Sequence, residues 1–212
     1  MMTPDRETFF AALVSRHGAE RQAKFDAARV AVCGLGGLGS NIAIALARAG
    51  VGHLHLVDFD RVEPSNLNRQ QYFASQVGMP KAEALRDNIA AINPYCAVVA
   101  ETLRIGPDNV RELLADDDIV CEAFDRAEAK AVLVSGVMEA FPDKPVVAAS
   151  GMAGLGSANA IRTKRVSKRL WVCGDFVADV DDGQGLYGAR VLVCAAHQAT
   201  AVLRILAGEK EA

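Results

Sequence analysis

The sequence is short of paired cysteines, of excess basic charge and of long apolar runs, and each shortage excludes something. Its five cysteines, Cys33, Cys96, Cys121, Cys173 and Cys194, are odd in number and scattered, with no CxxC among them. Structural zinc sites usually draw thiolates as such close pairs, so no zinc site is expected, and unpaired thiols inside apolar runs suit a reducing compartment. Lysine and arginine number 23 against 26 acids, a formal net charge of -3. That balance lacks the cationic excess that draws a protein to phosphate backbones, so general nucleic-acid binding is not expected. No apolar run approaches the roughly 20 residues of a bilayer crossing, and Met1 to Phe10 lacks the regions of a secretion signal. A cytoplasmic protein with no membrane partner is the expectation.

What is present is an α/β pattern. With 212 residues, 51% of them hydrophobic, the chain suffices for one compact domain with a substantial core. Short β-branched runs alternate with longer helical ones, the rhythm of βαβ units. The spacing predicts strands at 29–33, 53–57, 95–101, 118–124 and 146–150, and helices at 37–49, 81–92, 110–114 and 128–140. Beyond Gly156 the rhythm changes: 158–162 and 169–172 read as short strands with no long helix between them. Residues 176–189 hold Asp179, Asp181, Asp182, Gly183, Gly185 and Gly188 and read as a mobile loop. The run 189–207, apolar nearly all round and ending at Gly208, reads as a helix buried against the sheet. The expected fold class is α/β, a Rossmann-like, mostly parallel sheet with helices on both faces and an antiparallel C-terminal extension.

Cys33-Gly34-Leu35-Gly36-Gly37-Leu38-Gly39-Ser40 places GxGxxG directly after a predicted strand and before a predicted helix. Gly34 and Gly36 allow the tight turn and close backbone approach, Gly39 lets helix and strand pack closely, and the free N–H groups at the helix start attract an anion. A glycine turn used only for packing is the alternative. The next strand runs into Asp58-Phe59-Asp60, which sets an acid where a ribose hydroxyl would lie, Asp58 the better candidate. To this point NAD and ATP are not separated.

The chain continues with Ser65-Asn66-Leu67-Asn68-Arg69-Gln70, then Gly78-Met79-Pro80-Lys81 at a helix start. A phosphoryl centre under attack builds negative charge that fixed cations such as Arg69 and Lys81 can stabilise, whereas hydride transfer needs no such pair. Taken singly, Arg69 could be a surface ion pair and Lys81 a solvated helix residue. Glycine loop, acidic strand end, SNLNRQ and GxxK together, in this order, resemble the ubiquitin-activating-enzyme-like ThiF/MoeB superfamily. Its bacterial members adenylate the carrier proteins of thiamin and molybdopterin biosynthesis.

The resemblance implies an N-terminal helical segment over 1–28 and a single adenylation domain over 29–212. It implies an ATP site formed by Gly34, Gly36, Gly37, Gly39, Asp58, Asp60, Ser65, Asn66, Asn68, Arg69, Gln70, Lys81, Asp125 and Arg126. Asp125, at the end of the fourth predicted strand, is the Mg²⁺ candidate, as the family carries an Asp there; it could instead cap the helix that follows. The family usually places Asn after that Asp, and here Arg126 stands in its place. A further arginine of the family enters the site from the partner subunit, and Arg16 is the first choice for it, with Arg21 as the alternative; a homodimer follows. Catalysis would then fall to Arg69, Lys81, Asp125 and Arg16.

Val172-Cys173-Gly174-Asp175, the glycine-rich loop and Cys194-Ala195-Ala196-His197-Gln198-Ala199 look most like the short zinc-free branch of the thiamin-pathway adenylyltransferases. The activity implied is ATP- and Mg²⁺-dependent adenylation of the terminal glycine carboxylate of a small ubiquitin-like sulfur carrier, with a separate sulfur-donor protein acting next. Other acceptors with the same chemistry are a molybdopterin- or cysteine-pathway carrier and a tRNA carboxylate, as in the related threonylcarbamoyladenosine dehydratases. An NAD-dependent oxidoreductase and a non-catalytic binding partner are the alternatives of a different class. Cys173 is the nearest cysteine for a covalent link to the carrier, although its apolar strand favours an inert buried thiol; Cys194 and His197 read as packing residues.

Overall fold

An arginine followed by four apolar residues, Arg29–Cys33, makes β1, and from Val30 onward all are buried, as in a strand covered on both faces. Around it the computed structural model, which describes residues 3–178 and 183–209, builds a seven-stranded sheet. The strands are β1, β2 (His53–Val57), β3 (Ala97–Glu101), β4 (Ile119–Glu122), β5 (Val146–Ala149), β6 (Arg162–Ser167) and β7 (Leu170–Gly174), in spatial order β3-β2-β1-β4-β5-β7-β6. Every pairing is parallel except β6 with β7. The helices are α1 (Arg6–His17), α2 (Ala19–Ala27), α3 (Gly37–Arg48), α4 (Lys81–Ile92), α5 (Val110–Leu113), α6 (Ala127–Ala140) and α7 (Gly188–Ala207). The expected Rossmann-like α/β class with an antiparallel extension is what the structure has.

The larger core lies where α3, α4 and α7 cover one sheet face, with Leu38, Ile42, Leu46, Leu85, Ile89 and Val202 at its centre. A smaller one joins α5 and α6 to the other face through Ala31, Val120, Leu133 and Val137. Chain order reverses between β1 and β4, and at such a switch point the loops leaving the strand ends part to form a crevice.

Two expectations need correction. Residues 158–162 are not a strand: Ala158–Ala160 is a 3-10 turn opened by Ser157, whose hydroxyl accepts from Asn159 N, and the strand begins at Arg162. The real strand, β6, is an edge of mostly exposed polar residues, so it lacks the apolar alternation that marks half-buried strands. Helix α7 is buried against the sheet, as expected: Arg190, Cys194, Gln198 and Val202 face inward, while Ala189, Leu192, Ala196, Thr200 and Arg204 form an exposed stripe. Second, α7, at 20 residues with a mean hydropathy of 1.3, is by length and composition enough to cross a bilayer, contrary to the expectation; here it lies along α3 and the sheet. Of the predicted loop over 176–189, Asp179, Asp181 and Asp182 lie outside the described residues.

Candidate active site

Gly34, at φ +89, turns the chain out of β1 in a conformation that L side chains rarely adopt. A Cβ there would also lie 2.8 Å from the Ala123 carbonyl oxygen, at the exit of β4, so the two loops of the crevice touch through this glycine. At Gly39 a Cβ would fall 1.8 Å from Gly34 O, which is why the first turn of α3 can fold back on the strand exit. The first turn of α3 has no side-chain cap, so the unpaired N–H groups that open a helix are available to an anion.

Asp58 fixes this loop. Its Oδ2 accepts from Leu35 N at 2.6 Å and its Oδ1 from Asp60 N at 2.8 Å, leaving lone pairs on both oxygens. Burial raises its pKa, opposed by the backbone donors and by the nearby Lys81 charge. Tyr72 secures the other side, donating its hydroxyl to Leu35 O at 2.7 Å. No motif in the sequence singled Tyr72 out; its signal is only a tyrosine two residues after the Arg69-Gln70 pair.

Lys81 is buried, with its side chain 8% exposed, and its Nζ lies 3.0 Å from Asp60 Oδ2, so it is not a solvated helix residue. Arg69 lays its stem along the glycine loop: a Cβ on Gly37 would lie 3.5 Å from its Cγ and Cδ. Its Nη1 donates to Ser65 O at 3.0 Å and to Asn68 Oδ1 at 2.7 Å. Asn66 closes its own 3-10 turn, its Oδ1 accepting from Glu63 N and its Nδ2 donating to the exposed Ser65 hydroxyl. Gln70 is buried, and its Nε2 is the one group near the space a Cβ on Gly36 would take, at 3.8 Å. Its Oε1 is buried with no hydrogen-bond partner among the described residues. An orphaned acceptor beside an open glycine is what a site for a donor-bearing ligand requires.

Asp125 and Arg126 are exposed just beyond β4. Arg126 occupies the N-cap position of α6 with no side-chain cap bond, so Asp125 does not serve as that cap. Its carboxylate makes no hydrogen bond or ion pair among the described residues. No group of three or more His, Cys, Asp or Glu among the described residues is placed to hold a metal. A single free carboxylate fits Mg²⁺, which commonly takes one or two carboxylates and completes its shell with phosphate oxygens and water.

Arg16 is elsewhere. It lies in the last turn of α1, whose neighbours are the residues that lead into the strands: Phe9 packs at a tilt against Tyr95 before β3, and Leu13 reaches Gly50 before β2. Arg21 is likewise remote, reaching Glu209 beyond the end of α7 at 3.5 Å. Since α7 starts at the glycine loop and runs about 30 Å, both arginines sit at the strand-entrance end of the sheet, opposite the crevice of their own chain.

Two buried ion pairs under the site escaped the sequence reading. Glu122, at the end of β4, accepts from Lys130 Nζ at 3.0 Å through both oxygens and from Phe124 N at 2.8 Å, and Lys130 also donates to Ala149 O at the end of β5. Arg190 in α7 pairs with Asp175 and donates to Ser157 O at 2.7 Å and to Gly156 O, gathering the segments after β5 and β7. A charge inside an otherwise apolar helix was the available sign for Arg190; for Glu122 there was none. Lys130→Met is expected to cost about 3 kcal/mol, because Glu122, 1% exposed, would keep its charge without a cation. Burial already raises the Glu122 pKa against the opposing pull of Lys130. A folded pKa above the unfolded one means that the native state binds more protons, so stability falls as pH rises from the ordinary value of 4.5 through the folded one. Denaturant unfolding should show the variant's deficit growing from acid toward neutral pH, and a deficit independent of pH would contradict this account.

Cys173 is fully buried, 3.3 Å from Thr163 Oγ1, and burial pushes its pKa up to about 11. Burial likewise takes Cys194 to about 12. Such thiols carry little thiolate at neutral pH. His197 hydrogen-bonds Thr163 through Nδ1 at 3.1 Å, within the packing of α7 on β6. A separate cleft of about 480 Å³ on the α5 side is lined by Glu101, Glu112, Asp116 and Asp117 beside His55 and Arg29, an acidic excess that disfavours a polyphosphate.

The profile of the ThiF family matches residues 10–212. The chain belongs to the ThiF family. ThiF-family relatives include the molybdopterin-synthase adenylyltransferase of Salmonella typhimurium, 41% identical over 118 residues, 55% of this chain and 47% of the relative. Another is the probable adenylyltransferase/sulfurtransferase MoeZ of Mycobacterium tuberculosis, 42% identical over 109 residues, 51% of this chain and 28% of the relative. The chain therefore spans less than half the length of these curated relatives. Among solved structures, the Escherichia coli tRNA N6-threonylcarbamoyladenosine dehydratase TcdA in complex with ATP superposes with a TM-score of 0.86 at 25% identity, covering 97% of each chain.

Proposed function

We propose that this ThiF-family chain is an adenylyltransferase that uses ATP to activate the C-terminal glycine carboxylate of a small ubiquitin-like sulfur carrier. The observation that carries the reading is a glycine loop with Arg69 laid along it, an acidic anchor, Asp58, that feels the charge of the buried Lys81, and a neighbour, Gln70, that holds an unpartnered acceptor. Hydride transfer would leave both cations without a task; a phosphoryl transition state uses both.

In this reading the α3 N-terminus and glycine loop hold the phosphates, and Asp58, Asn66 and Gln70 border the nucleotide. Asp125 would hold Mg²⁺, which neutralises phosphate charge when bound. The carrier carboxylate attacks the α-phosphorus in line and pyrophosphate leaves, giving an acyl-adenylate from which a sulfur donor displaces AMP. A carboxylate is already ionised at neutral pH, so no general base is required, and the protein contributes positioning and charge. Arg16 would serve the site of the partner subunit in a cytoplasmic homodimer.

For the acceptor, the C-terminal motifs favour a thiamin-pathway carrier. The named activities of the relatives favour a molybdopterin-type carrier, and the likeness to TcdA over the full length supports a tRNA carboxylate as the second reading. Intact-mass measurement after incubation with ATP and Mg²⁺ separates them. An AMP adduct on the thiamin-type carrier is expected; an adduct only on the molybdopterin-type carrier or on tRNA reassigns the acceptor. ATP binding with no adduct on any of the three would contradict adenylation.

A further inference from the structure

The side-chain amide of Asn68 is divided between two parts of the molecule. Its Oδ1 accepts from Arg69 Nη1 at 2.7 Å, and its Nδ2 donates to Leu186 O at 3.2 Å, in the chain that leads into α7. The backbone of the same residue is pressed against the start of that helix: a Cβ on Gly188 would lie 2.5 Å from Asn68 O and 3.4 Å from Arg69 Cα. One turn further, Val191 Cγ1 and the Arg69 stem meet Gly37 together, at 2.9 and 3.5 Å from the position of a Cβ there. Thus 186–191, Asn68-Arg69 and the glycine loop form one continuous contact.

We infer that Asn68 is a positioning residue that ties the chain entering α7 to the guanidinium of Arg69, so that nucleotide binding and the placement of that chain are coupled. The inference rests on the ATP reading of the site. Arg69 has two hydrogen-bond acceptors, Ser65 O and Asn68 Oδ1, and only the second connects it to another part of the fold. On the other flank, Gly154 N donates to Gly185 O at 2.9 Å, and Arg190 holds Ala153, Gly156 and Ser157. Residues 185–188 are therefore suspended between the segment after β5 and the nucleotide side, and among the described residues Asn68 provides the hydrogen bond on the nucleotide side. When Arg69 is drawn onto phosphate, the amide moves with it and carries Leu186 along; contact is direct, so no longer path is needed.

Hydrogen exchange of the full chain with and without Mg-ATP tests this, because it resolves protection segment by segment. In the wild type, Mg-ATP should slow exchange at 34–40 and also at 185–190. In Asn68→Ala, measured at saturating Mg-ATP, the gain at 185–190 relative to that at 34–40 in the same variant should fall about tenfold, the worth of one lost hydrogen bond of about 1.4 kcal/mol. Asn68→Asp separates the two halves: it keeps an acceptor for Arg69 and loses the donor to Leu186, so it should behave as the alanine variant at 185–190. Asn68 is exposed, so both variants should retain the wild-type melting profile. Unchanged ATP protection at 185–190 in both variants overturns the coupling while leaving the nucleotide site intact. Absence of ATP protection at 34–40 in the wild type overturns the nucleotide reading itself and the coupling with it.

Discussion

Lys81→Ala should lower carrier adenylation by about 10²–10³-fold, and Arg69→Ala by a similar factor, with the chain still folded. Stability is not the cause of either loss. Lys81 pairs with Asp60, which is 49% exposed, so removing the lysine leaves a carboxylate that water can solvate, while the buried Asp58 keeps its two backbone donors, Leu35 N and Asp60 N. Arg69 is half-buried, and its two acceptors, Ser65 O and Asn68 Oδ1, belong to exposed residues. The effect should fall on turnover, because charge builds on the phosphoryl oxygens only as the carboxylate attacks. Steady-state kinetics beside a thermal melt decides it: full activity in both variants would remove these residues from the mechanism.

Arg16→Ala should lose about 10³-fold in activity, the scale of an arginine supplied to a phosphoryl-transfer site from a neighbouring subunit. Its place at the entrance end of the strands means that it cannot serve the crevice of its own chain. That geometry makes a mixing experiment decisive. Equimolar Arg16→Ala and Lys81→Ala chains, each inactive alone, should regain about a quarter of wild-type activity after exchange of subunits, since half the dimers then hold one site free of either substitution. If mixing restores nothing although mixed dimers form, the arginine does not act across subunits.

How far the sequence discloses this molecule depends on where each interaction is written. The β1–α3 unit is legible because a single local motif dictates it: Gly34 must adopt positive φ and Gly39 must clear Gly34 O, and both demands appear as glycines in fixed order. Helix α4 is legible from the one-sided recurrence of Ala82, Leu85 and Ile89, all buried. The edge strand β6 is less so, because a strand with one neighbour and exposed side chains owes little to apolar alternation; its place is set by pairing to β7. The residues of the site divide in the same way. Asp58, Arg69 and Lys81 stand out by residue type at motif spacing, but the burial of Lys81 and the two-sided use of Asn68 arise only when 60, 81 and 186 are brought together. The Glu122–Lys130 pair crosses from β4 to α6 within the apolar layer, and nothing local distinguishes its members from surface charges. The distance of Arg16 from its own crevice follows from α1 packing at the strand entrances, a tertiary fact that no motif contains.

Transfer of AMP from ATP to a carboxylate in this crevice is tested most directly by exchange of labelled pyrophosphate into ATP in the presence of Mg²⁺ and a purified carrier. The reverse of the adenylation step returns label to ATP only if an acyl-adenylate has formed. Exchange that requires the carrier's terminal glycine, and that disappears in Lys81→Ala, is the predicted result; saturable ATP binding with no exchange in the presence of thiamin-type carrier, molybdopterin-type carrier or tRNA would contradict the account.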